Sequence, residues 1–268
     1  MGAKEQFESG RLDEAVSAVT AAVKANPSDF DARWFLTELL CFSGELERAD
    51  KQLDILFTQA AEAAMAIALF RQLIRAETSR REFYSQGRIP EFVDYATPAQ
   101  QLHIEASLCL REGKPADAAR LLAQADEQRP VVRGECDGQR FEGARDLDDL
   151  TASFLEVLTS NGKYYWIPWE RIDTIEFRAP ERPRDLLWRR VRLIVRGGPD
   201  GEVFLPALYA GSERESDPAA RLGRMTDFRQ EGGGPVRGVG QKTILFGESD
   251  RPILELKSLS IDETEEGK

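Results

Sequence analysis

The sequence predicts an α+β protein. Its N-terminal half is an α-solenoid of helix pairs, and its C-terminal half is mostly β, a small barrel or curled sheet. Two observations carry this. Gly10-Arg11-Leu12-Asp13-Glu14-Ala15 returns 34 residues later as Gly44-Glu45-Leu46-Glu47-Arg48-Ala49, and a further 69 residues on as Gly113-Lys114-Pro115-Ala116-Asp117-Ala118. A repeat of this length, with Gly followed five residues on by Ala, marks stacked helix pairs of the tetratricopeptide (TPR-like) type. After Pro130 the helical stripes give way to alternating segments and Gly-rich turns, the texture of short antiparallel strands.

The helical elements follow in order over residues 1–130. Gly10 turns the chain out of a short first helix, Ala15 and Ala22 share one face of the second, and Pro27 ends it, having no N–H to donate. Ser28 or Asp29 caps the next helix. Trp34, Leu36, Leu39 and Leu40 form its stripe, and Leu46, Ala49, Leu53 and Leu56 the stripe of its partner, at steps of three and four. Ala60 to Glu77 is a strong helix and Arg80 to Tyr84 a short one. Gly87-Arg88-Ile89-Pro90 echoes the repeat, but Pro98 follows too soon for a full pair, so a truncated unit is expected. The last unit opens after Thr97-Pro98 and ends at Pro130, twelve residues after Ala118, as Pro27 stands twelve after Ala15.

Residues 131–145 read as a linker, 146–260 as a β-rich domain and 261–268 as an acidic tail. Asp146 to Leu158 carries Leu147, Leu150, Phe154 and Leu158 in helical step. Beyond it the pattern is β. Asn161-Gly162 is a hairpin turn ahead of Lys163 to Trp169. Trp188 to Val195 alternates, Gly197 to Gly201 turns, and Glu202 to Leu205 returns. Lys242 to Phe246 and Pro252 to Leu256 are further strand candidates.

In this half, several segments resemble the ImpE/TagJ family, accessory components of type VI secretion systems. They are Asn161 to Trp169, Arg184-Asp185-Leu186-Leu187-Trp188, Phe204 to Glu213, Leu222 to Phe228 and Gly238-Val239-Gly240-Gln241. The order, repeat-like helices and then this β half, is also that of the family. The resemblance implies a non-catalytic cytoplasmic adaptor. Its partner would be the N-terminal helix of the small contractile-sheath subunit, and through it the AAA+ unfoldase that disassembles the sheath.

Composition narrows the alternatives. The net charge is −11, with 15 basic and 21 acidic residues in 1–130 and 21 and 26 in the rest, so neither half is a basic nucleic-acid module. No stretch approaches the ~20 apolar residues of a membrane helix, and no apolar signal core opens the chain, so a cytoplasmic location is expected. Cys41, Cys109 and Cys136 are odd in number and widely spaced, which predicts neither a disulfide framework nor a metal site. No cofactor is expected. His103 is the one histidine, too little for a zinc site and a poor base for a triad. Gly234 to Thr243 lacks the helix a phosphate loop needs. Asp146, Asp148 and Asp149 form an acidic cluster with no evident pocket.

Two further classes stay in view. Residues 171–196 hold eight arginines against four acids near Tyr164, Tyr165, Trp166, Trp169 and Trp188, a set able to hold single-stranded nucleic acid. An enzyme site for a small molecule at the junction of the halves is the other. Against both, a helical stack accepts an amphipathic helix in its concave groove. If the first helix of each pair lines that side, the groove holds Trp34, Glu38, Cys41 and Phe42, then Gln72 and Arg75, then His103, Ser107 and Arg111.

Overall fold

In a computed structural model, which describes residues 2–263, seven helices come first: α1 (Ala3–Glu8), α2 (Leu12–Ala25), α3 (Phe30–Phe42), α4 (Leu46–Gln59), α5 (Ala64–Gln86), α6 (Pro98–Arg111) and α7 (Pro115–Gln128). The repeat is a backbone device. Gly10, Gly44 and Gly113 stand at φ +83°, +78° and +72°, the left-handed conformation that closes a helix and that glycine adopts without strain. Ala15, Ala49 and Ala118, five residues on, are fully buried where the paired helices cross.

Gly87, after α5, has the same conformation. Pro90 then prevents a second helix, and the chain runs extended. Glu91 lies along the strand at Tyr165: its N–H donates to the Tyr164 carbonyl at 2.8 Å, and its carbonyl accepts from Trp166 N–H at 3.1 Å. The truncated unit is thus a helix paired with a strand-like arm. α5 runs unbroken for 23 residues, in place of the two helices expected from Ala60 to Tyr84.

The β half consists of β1 (Arg133–Cys136), β2 (Gln139–Glu142), β3 (Ala144–Asp146), β4 (Phe154–Leu158), β5 (Tyr164–Pro168), β6 (Ile172–Phe177), β7 (Trp188–Val195), β8 (Asp200–Pro206), a short α8 (Pro218–Arg221), then β9 (Thr226–Arg229), β10 (Arg237–Gly240), β11 (Thr243–Phe246), β12 (Ser249–Pro252) and β13 (Ser258–Ile261). Among the described residues eight strands form one antiparallel sheet in the order β2-β1-β13-β6-β7-β8-β4-β5. It is an open sheet, not a closed barrel. β3, β11 and β12 form a second sheet and β9 and β10 a hairpin.

Two expectations are overturned here. The segment 131–145 is no linker: Asp137-Gly138, both at positive φ, turns β1 into β2, and β1 pairs with β13 at the end of the chain. Asp146 to Leu158 is no helix but the end of β3, a 3-10 turn and β4. Of the predicted acidic tail, Ile261 ends β13 and Asp262 pairs with Arg140 at 2.5 Å, while 264–268 lie outside the described residues.

The halves share one core. Phe154 and Leu158 of β4, Tyr164 and Trp166 of β5, and Trp188 of β7 face the helices and pack with Phe42, Phe70 and Phe83. The alternate residues Leu155, Val157, Ile167, Val191 and Leu193 face the interior of the β half. A strand alternates its side chains between two faces, and here both faces are covered.

Candidate functional site

The β half fills most of the trough that the helical stack would leave open. Cys41 and Phe42 of α3 are sealed beneath it. Gln72 and Arg75 of α5 pack on the β4–β5 turn, where a Cβ on Gly162 would meet Gln72 Oε1 at 2.5 Å and Arg75 Cβ at 3.5 Å. His103 of α6 is 1% exposed. Its Nδ1 lies 3.0 Å from the Leu150 carbonyl and its Nε2 2.8 Å from Ser153 Oγ. Burial pushes its pKa down to about 4, with the Leu150 contact opposing. Ser107 donates to the Ile104 carbonyl, and Arg111 spans Ser107 Oγ and the Phe83 carbonyl. Seven of the nine residues expected in a groove therefore sit elsewhere. The expectation took the concave side to be free, and this chain's own β half occupies it.

What closes the trough is a buried ionic lock. Glu156 of β4 takes a two-pronged contact from Arg80 of α5, at 2.9 and 3.0 Å, and hydroxyl hydrogen bonds from Tyr84 at 2.9 Å and Tyr164 at 2.6 Å. Lys242 lies 3.1 Å from Glu156 and 2.5 Å from Asp146. Arg237 and the Gly238 N–H hold Asp148. Burial alone would raise the Glu156 carboxyl, but Arg80 and Lys242 outweigh it and hold the group well below the usual carboxylate range. Asp146 and Asp148 of the acidic cluster are thereby committed to lysine and arginine.

The N-terminal end is different. There α1, α2 and α3, facing the segment 180–186 that precedes β7, leave an open groove of about 1070 Å³. Trp34 and Glu38 line it, the two of the nine expected residues that do. Phe7, Val19, Phe35 and Leu186 supply apolar wall, and Pro180 and Pro183 stiffen the facing segment. Trp34 is half-buried, stacked on Phe30 at 5.7 Å and against Phe70 at 5.5 Å. The Arg184 guanidinium lies over Trp34 and Phe70. Glu38 is 3% exposed, and its Oε1 has no hydrogen-bond partner. Burial pushes its pKa up to about 7 against the pull of Arg184 and the Trp34 indole. The β half also braces this end. Arg224 donates to the Phe7 and Glu8 carbonyls, each at 2.8 Å, and Arg221 grips Asp13 at 2.8 and 3.0 Å.

The 180–186 wall was legible in the sequence only at Arg184 to Leu186, inside the family-like segment Arg184 to Trp188, and with no groove role. The lock left a fainter signal, Glu156 in the otherwise apolar Phe-Leu-Glu-Val-Leu. Of the aromatics weighed for nucleic-acid stacking, Tyr164, Trp166, Trp169 and Trp188 are buried, and Arg190, Arg192 and Arg171 pair with Glu202, Asp200 and Asp94. Among the described residues no His, Cys, Asp and Glu group is placed to hold a metal ion, and no helix is long and apolar enough to cross a membrane.

Comparison with known proteins agrees with this architecture. The model of the ImpE protein family matches residues 138–260, and a tetratricopeptide-repeat model matches 6–73. The type VI secretion system accessory component TagJ of Pseudomonas aeruginosa is 31% identical over 99% of this chain and 92% of its own length. The crystal structure of protein VPA1032 from Vibrio parahaemolyticus superposes with a TM-score of 0.92 at 26% identity, covering 99% of each chain.

Proposed function

The chain belongs to the ImpE/TagJ family, and from that premise we propose that it is a non-catalytic accessory protein of a type VI secretion system, working as a cytoplasmic adaptor. Its groove between α1–α3 and the 180–186 segment receives the N-terminal helix of the small contractile-sheath subunit. Through that contact it acts on disassembly and recycling of the sheath by the AAA+ unfoldase. The observation that carries the reading is the groove itself: an open stretch beside the first helices, with Trp34, Phe7, Val19, Phe35 and Leu186 in its lining and charged residues around them. Such a trough suits the apolar face of an amphipathic helix. Binding is favoured over catalysis because Glu156, Asp146 and Asp148 at the junction are paired with Arg80, Lys242 and Arg237, and His103 is buried with both ring nitrogens engaged.

The test is binding of a synthetic peptide spanning the first helix of the small sheath subunit. Trp34→Ala should weaken it tenfold or more, as loss of a central aromatic anchor does, with the melting curve recorded alongside. Because Trp34 also packs on Phe70, Ala22→Trp is the companion variant. It adds bulk to the groove from an exposed helix position and should block the peptide without loss of stability. Unchanged binding in both variants refutes the groove as the site.

A further inference from the structure

Glu38 is anomalous for a helix residue in a packed core. It is 3% exposed, one carboxylate oxygen is unpartnered, and it lines the open groove. A buried acceptor left without a donor destabilises the fold that holds it. Arg184 is the nearest cation, but its guanidinium is spread over the Trp34 and Phe70 rings at 5.7 and 5.0 Å, and its own Nε and Nη1 are unpartnered. Glu38 takes the Arg184 backbone N–H and the Trp34 indole, but its Oε1 and the Arg184 Nε and Nη1 are unpartnered, so no guanidinium fork like that between Arg80 and Glu156 is made. The rest of the groove has a matching bias. Six carboxylates line it, against Lys4 and Arg182 as the only cations of the lining.

We propose that the helix received by this groove carries a lysine or arginine that places its cation on Glu38, with flanking apolar side chains on Phe7, Trp34 and Leu186. This rests on the reading above and narrows it: the partner is recognised as a cationic amphipathic helix, and Glu38 is the residue that reads the cation. The charge complementarity commits the choice of occupant. The groove volume matches about three turns of a half-embedded helix, long enough for one cation between two apolar anchors.

The experiment uses the full chain, unmodified and as Glu38→Gln, and two peptide sets. One is the first-helix peptide of the small sheath subunit, intact and with each lysine and arginine in turn replaced by norleucine. The other is a pair of designed amphipathic helices with one apolar face, flanked by lysines or by glutamates. On the unmodified protein, one norleucine replacement should weaken the sheath peptide about tenfold or more, the usual loss of a charge-assisted hydrogen bond. Glu38→Gln should weaken the intact peptide equally and leave that norleucine peptide unchanged. The lysine-flanked helix should bind and the glutamate-flanked one should not. If the sheath peptide binds but is indifferent to every cation removed, the adaptor reading stands and this inference falls. If only the lysine-flanked helix binds, with the same dependence on Glu38, the inference stands and the sheath reading falls. A groove occupied by a second copy of the chain, seen as a dimer by light scattering that no peptide disperses, overturns it. The norleucine series needs no variant to fold, so an absent cation requirement overturns the inference even if Glu38→Gln misfolds.

Discussion

Glu156→Gln removes the charge that fastens the two halves while keeping the side chain's shape. In the native chain Glu156 receives Arg80, Lys242 and two tyrosine hydroxyls, and all four partners are buried or nearly so. Without it, Arg80 keeps only Glu77, at 3.4 Å, and the Leu208 carbonyl at 3.0 Å, while Lys242 keeps Asp146. Breaking one member of a buried pair costs about 3–5 kcal/mol, because a desolvated charge is left behind. At roughly 2–4 °C per kcal/mol for a chain near this size, the melting temperature should fall by roughly 6–20 °C. The partner variant Arg80→Met should fall by a similar amount. The double variant Arg80→Met/Glu156→Leu should lose less than the sum of the singles, since an apolar pair replaces an ionic one. The assay is urea unfolding followed by far-ultraviolet circular dichroism, dominated by the helices, and by tryptophan fluorescence, dominated by Trp166, Trp169 and Trp188. The two signals should coincide, because one core runs through both halves. A loss under about 1 kcal/mol in Glu156→Gln, or two separated transitions in the unmodified protein, refutes the lock as the element that fuses the halves.

Three other outcomes follow from the same geometry. His103 has its pKa pushed down to about 4 by burial, so the unfolded chain takes a proton below about pH 6.5 while the folded chain does not. Stability present above 6.5 is then lost as pH falls, by about 3 kcal/mol near pH 4; proton NMR of this one imidazole should show no titration between pH 7.5 and 5, and a midpoint near 6.5 would refute the assignment. Glu38, pushed up to about 7, has the opposite sign: stability full below about 4.5 is lost as pH rises through 7, again by about 3 kcal/mol. Glu38→Gln should therefore unfold at the same or a higher urea concentration than the parent at pH 8, and a clear loss there contradicts the orphaned carboxylate. Gly44→Ala forces φ +78° on an L residue and puts a Cβ 2.8 Å from Glu213 Cγ. It should destabilise by about 1–2 kcal/mol, measured by thermal melting, and no loss would detach the repeat's glycine from its conformational role.

The helix pairs were legible because their signals are local. A left-handed glycine, a small residue at the crossing and a terminating proline each act within one turn or two, and Gly10, Gly44 and Gly113 carry them in plain order. The strand errors arose where burial is two-sided. β4 reads as apolar nearly throughout because Phe154 and Leu158 meet the helices while Leu155 and Val157 meet the β interior. Periodicity cannot separate such a strand from a buried helix. The Asp137-Gly138 turn was a hairpin signal, hidden because its strands are short and one partner, β13, lies at the far end of the chain. Repeat geometry placed Trp34, Glu38, Cys41 and Phe42 of α3 together, and only Trp34 and Glu38 line the open groove, while Cys41 and Phe42 lie under the β half. The same geometry also missed for Gln72, Arg75, His103, Ser107 and Arg111, since no pattern within the helices records that the β half lies across them.

The central claim is that a partner helix enters at α1–α3 and nowhere else along the solenoid. A photo-reactive phenylalanine analogue in place of Ala32, on the groove wall, tests it against the same analogue at Arg120 on the exposed face of α7. With the sheath first-helix peptide, the account predicts a covalent adduct from position 32, suppressed by excess unlabelled peptide, and none from 120. An adduct from 120 alone, or equal yields from both, would contradict it.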